Sequence, residues 1–258
     1  STRNFRSVFI TILHIAVGTF LFAGTAAAQS GDALAKDVRT LTKQAQKLTR
    51  NEALPAAEKT LRSAVALDAN RSDTKLDLAY VLLKQRKLGE AYELSYNICK
   101  SEPKNAHAFA VLGNVLLTAG RFQEARPVLY TALKLDRGDD FGWFGLGMLE
   151  FYENNIDVSL VDLAEAVSLR SNVPDYWFSY AQVSARAEKY RQAADNYVQF
   201  LNVSSSADSE RRARIKGLIQ FLRFIGLKDR LYTTAADSRP RRAAQSALWH
   251  ILQAVTRL

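Results

Sequence analysis

Residues 106–139 read AHAFAVLGNVLLTAGRFQEARPVLYTALKLDRGD, and residues 140–173 read DFGWFGLGMLEFYENNIDVSLVDLAEAVSLRSNV. Laid one over the other they share small residues and large apolar residues at the same places, which is the mark of a repeating structural unit. Extending the 34-residue period in both directions needs no insertion and gives five units, 38–71, 72–105, 106–139, 140–173 and 174–207. Two columns are small throughout: Ala45, Ala79, Gly113, Gly147 and Ala181, then Ala57, Ala91, Ala125, Ser159 and Ala193. Small side chains recurring in this way let two helices approach closely.

Larger apolar columns surround them at helical spacing. Leu54, Leu88, Phe122, Ile156 and Tyr190 form one, and Val65, Cys99, Leu133, Val167 and Leu201 another. A third holds Leu78, Leu112, Leu146 and Tyr180, with polar Gln44 in its first place, as suits a terminal unit. Units of this kind cannot bury their apolar faces alone, so they stack on their neighbours.

These residues resemble the tetratricopeptide repeats. The family pattern is carried by Phe109, Leu112-Gly113, Leu116, Gly120, Ala125, Leu129 and Ala132, again by Trp143, Leu146-Gly147, Ser159, Leu163 and Ala166, and by Trp177, Ala181, Ala193 and Tyr197. The resemblance covers 170 of 258 residues. It implies an all-α fold, a right-handed α-solenoid of about five 34-residue helix-turn-helix repeats with a C-terminal capping helix. The proline that usually closes a unit stands only at Pro103; Ala69, Arg137, Ser171 and Ser205 fill that column elsewhere. Pro127 falls inside a second helix, where its missing donor should kink or loosen the turn, whereas Pro174 suits a helix start.

The ends differ from the middle. Arg3 and Arg6 precede an apolar run from Val8 to Gly24 that closes in Ala26-Ala27-Ala28-Gln29, the layout of a secretory signal peptide cleaved after Ala28. An uncleaved membrane anchor is the alternative, and the first residue, Ser rather than Met, leaves room for a fragment. Residues 29–37 are a lead-in. Beyond the repeats, 208–226 reads as an amphipathic capping helix with Gly226 as its stop. Residues 227–258 form a basic tail holding Arg239-Pro240-Arg241-Arg242 and a short amphipathic segment with Trp249.

The formal net charge of +9 sits at those ends. Residues 1–28 carry +2, 208–258 carry +7, and 29–207 hold 22 basic and 22 acidic side chains. A neutral array argues against nucleic acid as the partner of the repeats, and leaves an anionic membrane surface as a partner for the tail. The single cysteine rules out an internal disulfide, and His14, His107 and His250 are too scattered for a metal site. No nucleophile elbow, zincin helix or P-loop appears, and Gly142, Gly145 and Gly147 lie in a first helix, where packing explains them. No cofactor is expected, and Cys99 reads as an inert core thiol.

In the resembled family the concave surface is lined by first-helix residues. Those slots here hold Leu76, Tyr80 and Leu83, then Ala110, Asn114 and Leu117, then Phe141, Phe144, Met148, Phe151 and Tyr152, and finally Phe178 and Gln182. The stripe is apolar and aromatic. It is expected to bind a protein or peptide segment, unless Phe144, Phe151 and Phe178 are buried against neighbouring units or under the C-terminal helices. Members that clamp a C-terminal carboxylate use Lys, Arg and Asn; the corresponding slots carry Leu76, Ala110, Phe144 and Phe178, and Asn114 alone matches. The reading is therefore a noncatalytic, exported, periplasmic or secreted adaptor, serving envelope assembly, secretion or polysaccharide export. The alternatives are the repeat module of a longer enzyme and attachment to a membrane surface through the tail.

Overall fold

A computed structural model describes residues 32–205 and 209–232, with side chains as far as Leu227. Helix α1 covers 32–50. It is followed by α2 (Leu54–Leu67), α3 (Ser72–Lys84), α4 (Leu88–Ser101), α5 (Ala106–Thr118), α6 (Phe122–Leu135), α7 (Asp140–Tyr152), α8 (Ile156–Leu169), α9 (Pro174–Arg186), α10 (Tyr190–Val203) and α11 (Ser209–Tyr232). From α2 to α10 the starts of like helices are 34 residues apart, and first and second helices keep constant lengths of 13 and 14 residues. The fold is an all-α solenoid of five hairpins with a capping helix. Each hairpin packs on the next, and the first helices α3, α5, α7 and α9 also touch in series, forming an inner wall.

The period has a physical basis in four recurring devices. Both small columns are buried in every unit. At Gly113 and Gly147 the opposing helix comes so near that an added Cβ would lie 2.6 Å from Leu129 and 2.8 Å from Leu163, inside van der Waals contact. The turn between first and second helices places Glu52, Arg86, Gly120, Asn154 and Glu188 at φ near +60 to +75°, a left-handed residue at the same place in all five units. Where the chain enters a first helix, Asn105 and Asp139 cap it by accepting from Ala108 and Gly142 backbone N–H groups. Trp143 and Trp177 each donate an indole hydrogen bond to the carbonyl six residues earlier, of Arg137 and Ser171.

One expectation changes. Gly226 does not stop the cap, for α11 continues to Tyr232. A Cβ there would sit 3.5 Å from the Tyr190 Cβ and 3.7 Å from the Arg191 nitrogen, so the glycine marks close packing against α10. Pro127 does not shorten α6, which has the 14 residues of its counterparts. The proline ring faces solvent while Ala125 and Leu129 stay buried, so the helix bears the lost hydrogen bond on its wet side. The signal-like residues 1–28 and most of the tail lie outside the described residues. Among the described residues no helix is long and apolar enough to cross a membrane.

Candidate functional site

The inner wall encloses a cavity of about 500 Å³ between α3, α5, α7 and the start of α9. Nine of the expected residues line it: Tyr80, Leu83, Asn114, Leu117, Phe141, Phe144, Met148, Tyr152 and Phe178. Leu83, Asn114, Leu117 and Phe141 are buried and form its floor; Tyr80, Phe144, Met148 and Phe178 are half-buried; Tyr152, 56% exposed, stands at the rim. Four expected residues lie elsewhere. Leu76 and Ala110 belong to the core, Phe151 packs among Leu160, Leu163 and Val183 between units, and half-buried Gln182 is not part of the lining.

The aromatic stripe is a stack of rings touching one another. Tyr80 meets Phe141 edge-on at 5.4 Å, Phe141 stacks on Phe144 at 5.9 Å, and Phe144 on Tyr176 at 4.8 Å. Such pairs prefer offset or edge geometries and gain about 0.5–1.5 kcal/mol beyond burial. The ladder therefore couples α3, α7 and α9 through ring contacts along the wall of the cavity. Phe178 is partly covered: Tyr197 and Phe200 flank it, and the Arg211 guanidinium of α11 lies 5.4 Å from its ring. Burial between units thus accounts for Phe151, coverage by the cap for part of Phe178, and neither removes Phe144 from the cavity.

Asn114 is the polar group in the floor. Its Nδ2 donates to the Ala110 and Phe141 carbonyls, both at 2.9 Å, while its Oδ1 accepts no hydrogen bond from the described residues. An acceptor held this rigidly in an apolar cavity suits an N–H of an incoming backbone.

The residues that cross the groove were not legible as site residues. Lys84, at the end of α3, forms an ion pair of 2.7 Å with Asp175 in the first turn of α9, and the Tyr80 hydroxyl points at the same carboxylate from 3.5 Å. A second pair, Arg211 with Glu52 at 3.0 Å, ties α11 to the turn after α1. Tyr176, stacked on Phe144, donates to Asp140 at 2.5 Å, and Arg170 pairs with the other oxygen of that carboxylate at 2.8 Å. Burial and the adjacent carboxylate push the Tyr176 phenol far up, so it remains a donor. The only available hint was Tyr80 and Lys84 one turn apart on α3; nothing local links them to Asp175.

Burial pushes the Cys99 thiol up to about 12, which makes it a poor nucleophile. Gly142, Gly145 and Gly147 face Leu133, Leu129 and Leu163 at under 3 Å from a would-be Cβ, leaving no space for a phosphate. Among the described residues no three or more His, Cys, Asp or Glu side chains gather as a metal site requires.

A solenoid of helical hairpins around a closed-in inner groove places the chain among helical-repeat proteins. Compared with solved structures, it resembles the thermophilic tetratricopeptide-repeat protein TTC0263 of Thermus thermophilus, with a TM-score of 0.59 at 16% identity, over 71% of this chain and 99% of that one. PilF of Pseudomonas aeruginosa superposes with a TM-score of 0.50 at 18% identity, over 82% and 99%. The chain has the tetratricopeptide-repeat fold. No family model matches it. Among curated proteins, isoleucine–tRNA ligases of Aromatoleum aromaticum and Azoarcus sp. are 81% and 72% identical over 32 residues, 12% of this chain. The chain spans about 3% of the length of those ligases, a stretch far shorter than a domain.

Proposed function

We propose that this chain is a noncatalytic scaffold that holds a segment of a partner protein in the inner groove. The observation that carries the reading is the cavity of about 500 Å³ itself, walled by half-buried aromatic residues and floored by an asparagine whose acceptor is unused among the described residues. Apolar surface held open in this way favours an apolar or aromatic segment, with Asn114 fixing its backbone. A library of displayed 12-residue segments selected on the full chain should enrich aromatic and aliphatic residues. Tyr152→Asp and Met148→Asp, at the rim and the wall, should each weaken the selected segments about tenfold with the helical circular dichroism unchanged. Binding indifferent to both substitutions would place recognition on another surface.

The work of the scaffold is proposed to be outside the cytosol, in envelope assembly, secretion or polysaccharide export. The support is the basic, apolar and Ala-x-Ala succession of residues 1–28. Expressed in a bacterial host with residues 1–28 in place, the chain should be recovered from the extracytoplasmic fraction with Gln29 as its first residue; recovery in the cytosol with Ser1 retained would refute export.

A further inference from the structure

Beyond the Lys84–Asp175 bridge lies a second cavity, of about 470 Å³, between the end of α1, the inner face of α3 and the start of α9. The first cavity is lined mainly by apolar side chains, with Lys84, Arg86 and Asp175 among them; this one carries more charge. Most of its charges are already matched: Lys84 with Asp175, Arg170 with Asp140 at 2.8 Å, His107 with Asp139 at 2.9 Å, and Glu52 with Arg211. Asp77 is different. Its half-buried carboxylate accepts a single hydrogen bond, from the Gln46 amide at 3.1 Å, and has no ion-pair partner among the described residues. Loss of water outweighs the pull of Gln46, His107 and Arg170 and raises its carboxyl above the usual range, as expected of a charge left under-compensated. Arg50, the remaining base on this wall, faces solvent.

The lining also holds aromatic residues, which can favour a cation beside an unmatched carboxylate. Tyr80, Phe141 and Tyr176 border the same space, with Tyr80 half-buried and the other two buried. The protein already shows what this wall accepts, because the Lys84 ammonium lies 6.0 Å from the Tyr80 ring while paired with Asp175. An aromatic face beside a carboxylate is the combination that holds an ammonium or guanidinium against water. We propose that the cavity at Asp77 is a subsite for a basic side chain of the bound segment, set next to the apolar groove. The subsite rests on the groove reading for its natural occupant, and it specifies the segment as apolar residues flanked by a Lys or Arg.

A small probe tests it separately from the groove. The full chain, labelled with ¹⁵N, is titrated with N-acetyl-arginine amide and with its neutral isostere N-acetyl-citrulline amide. The arginine compound should bind about fivefold more tightly, with shifts centred on α3 and the start of α9. Asp77→Asn, which keeps size and the Gln46 contact, should abolish the preference, while Tyr152→Asp should leave it intact. Equal binding of the two compounds, shifts elsewhere on the surface, or a preference that survives Asp77→Asn would overturn the subsite. If Asp77→Asn failed to fold, the comparison of the two compounds on the parent chain with the location of the shifts would decide. Loss of segment binding in Tyr152→Asp bears on the groove alone, so the two readings fail independently.

Discussion

Asp162 shows how one side chain can sit against the grain of an otherwise well-matched structure. It lies buried on α8 near Glu150, whose own carboxylate is held by Arg126 at 2.6 Å and Asn155 at 2.7 Å. Burial, helped by the Glu150 charge, pushes the Asp162 carboxyl up to about 6. Because the folded value exceeds the unfolded one, the group costs nothing while protonated below about pH 4, and its penalty grows as the pH rises through about 6. Asp162→Asn should therefore stabilise the fold by about 1–2 kcal/mol at pH 7.5, read by urea unfolding, and by nothing at pH 3.5. An equal gain at both values would mean that packing, not charge, is responsible. At this scale the letters were read well where chemistry is local. Both small columns are buried throughout, and the Cys99 thiol is suppressed. Tyr197 is fully buried with its hydroxyl unpartnered among the described residues, and that was not readable, since an aromatic in a repeat column says nothing about where its oxygen ends.

The helices are where the 34-residue period acts most directly. Their apolar stripes, buried small columns and entry caps are all short-range properties, so hairpins were legible unit by unit. The left-handed turn column was hidden. Gly120 and Asn154 are residues that favour positive φ, but Glu52, Arg86 and Glu188 occupy the same place and do not announce it. The fold imposes the conformation on them because the close helix pair leaves no other path. Gly226 was misread for the complementary reason, as a local stop where a tertiary approach to α10 explains it. Pro127 offers a test. It removes a hydrogen bond from α6 with no contact in the core to offset that, so Pro127→Ala should raise stability by about 1–3 kcal/mol. A melting temperature unchanged or lowered would show that the proline serves α6 in a way the geometry does not reveal.

Across the whole molecule, the ends of the array are drawn together. Lys84–Asp175 joins residues 91 apart in sequence, and Arg211–Glu52 joins residues 159 apart. All four side chains retain between 23 and 54% exposure, so each pair contributes little to folding, roughly 0–1 kcal/mol, and is weakened by salt. Their effect is on shape. In the variant combining Lys84→Met with Glu52→Gln, fluorescent labels on α1 and α11 should move apart, with the melting temperature within a few degrees of the parent. Raising the parent chain to about 1 M salt should move them the same way. Labels that stay at the parental distance in both experiments would mean that packing alone sets the curvature.

By itself the sequence determined the hairpin, its repetition and the stacking of like on like, because each depends on residues within one 34-residue unit or its neighbour. The aromatic character of the inner wall was likewise readable. Only the tertiary structure decided which of those aromatics stay open, placing Phe144 and Tyr152 at the cavity, Phe151 between units and Phe178 partly under Arg211. It alone brought Asp175 to Lys84 and left Asp77 without an ion-pair partner among the described residues. The reason is that a solenoid's curvature is the sum of small rotations from one unit to the next. No single unit records that sum, and contacts across the groove exist only once it has accumulated.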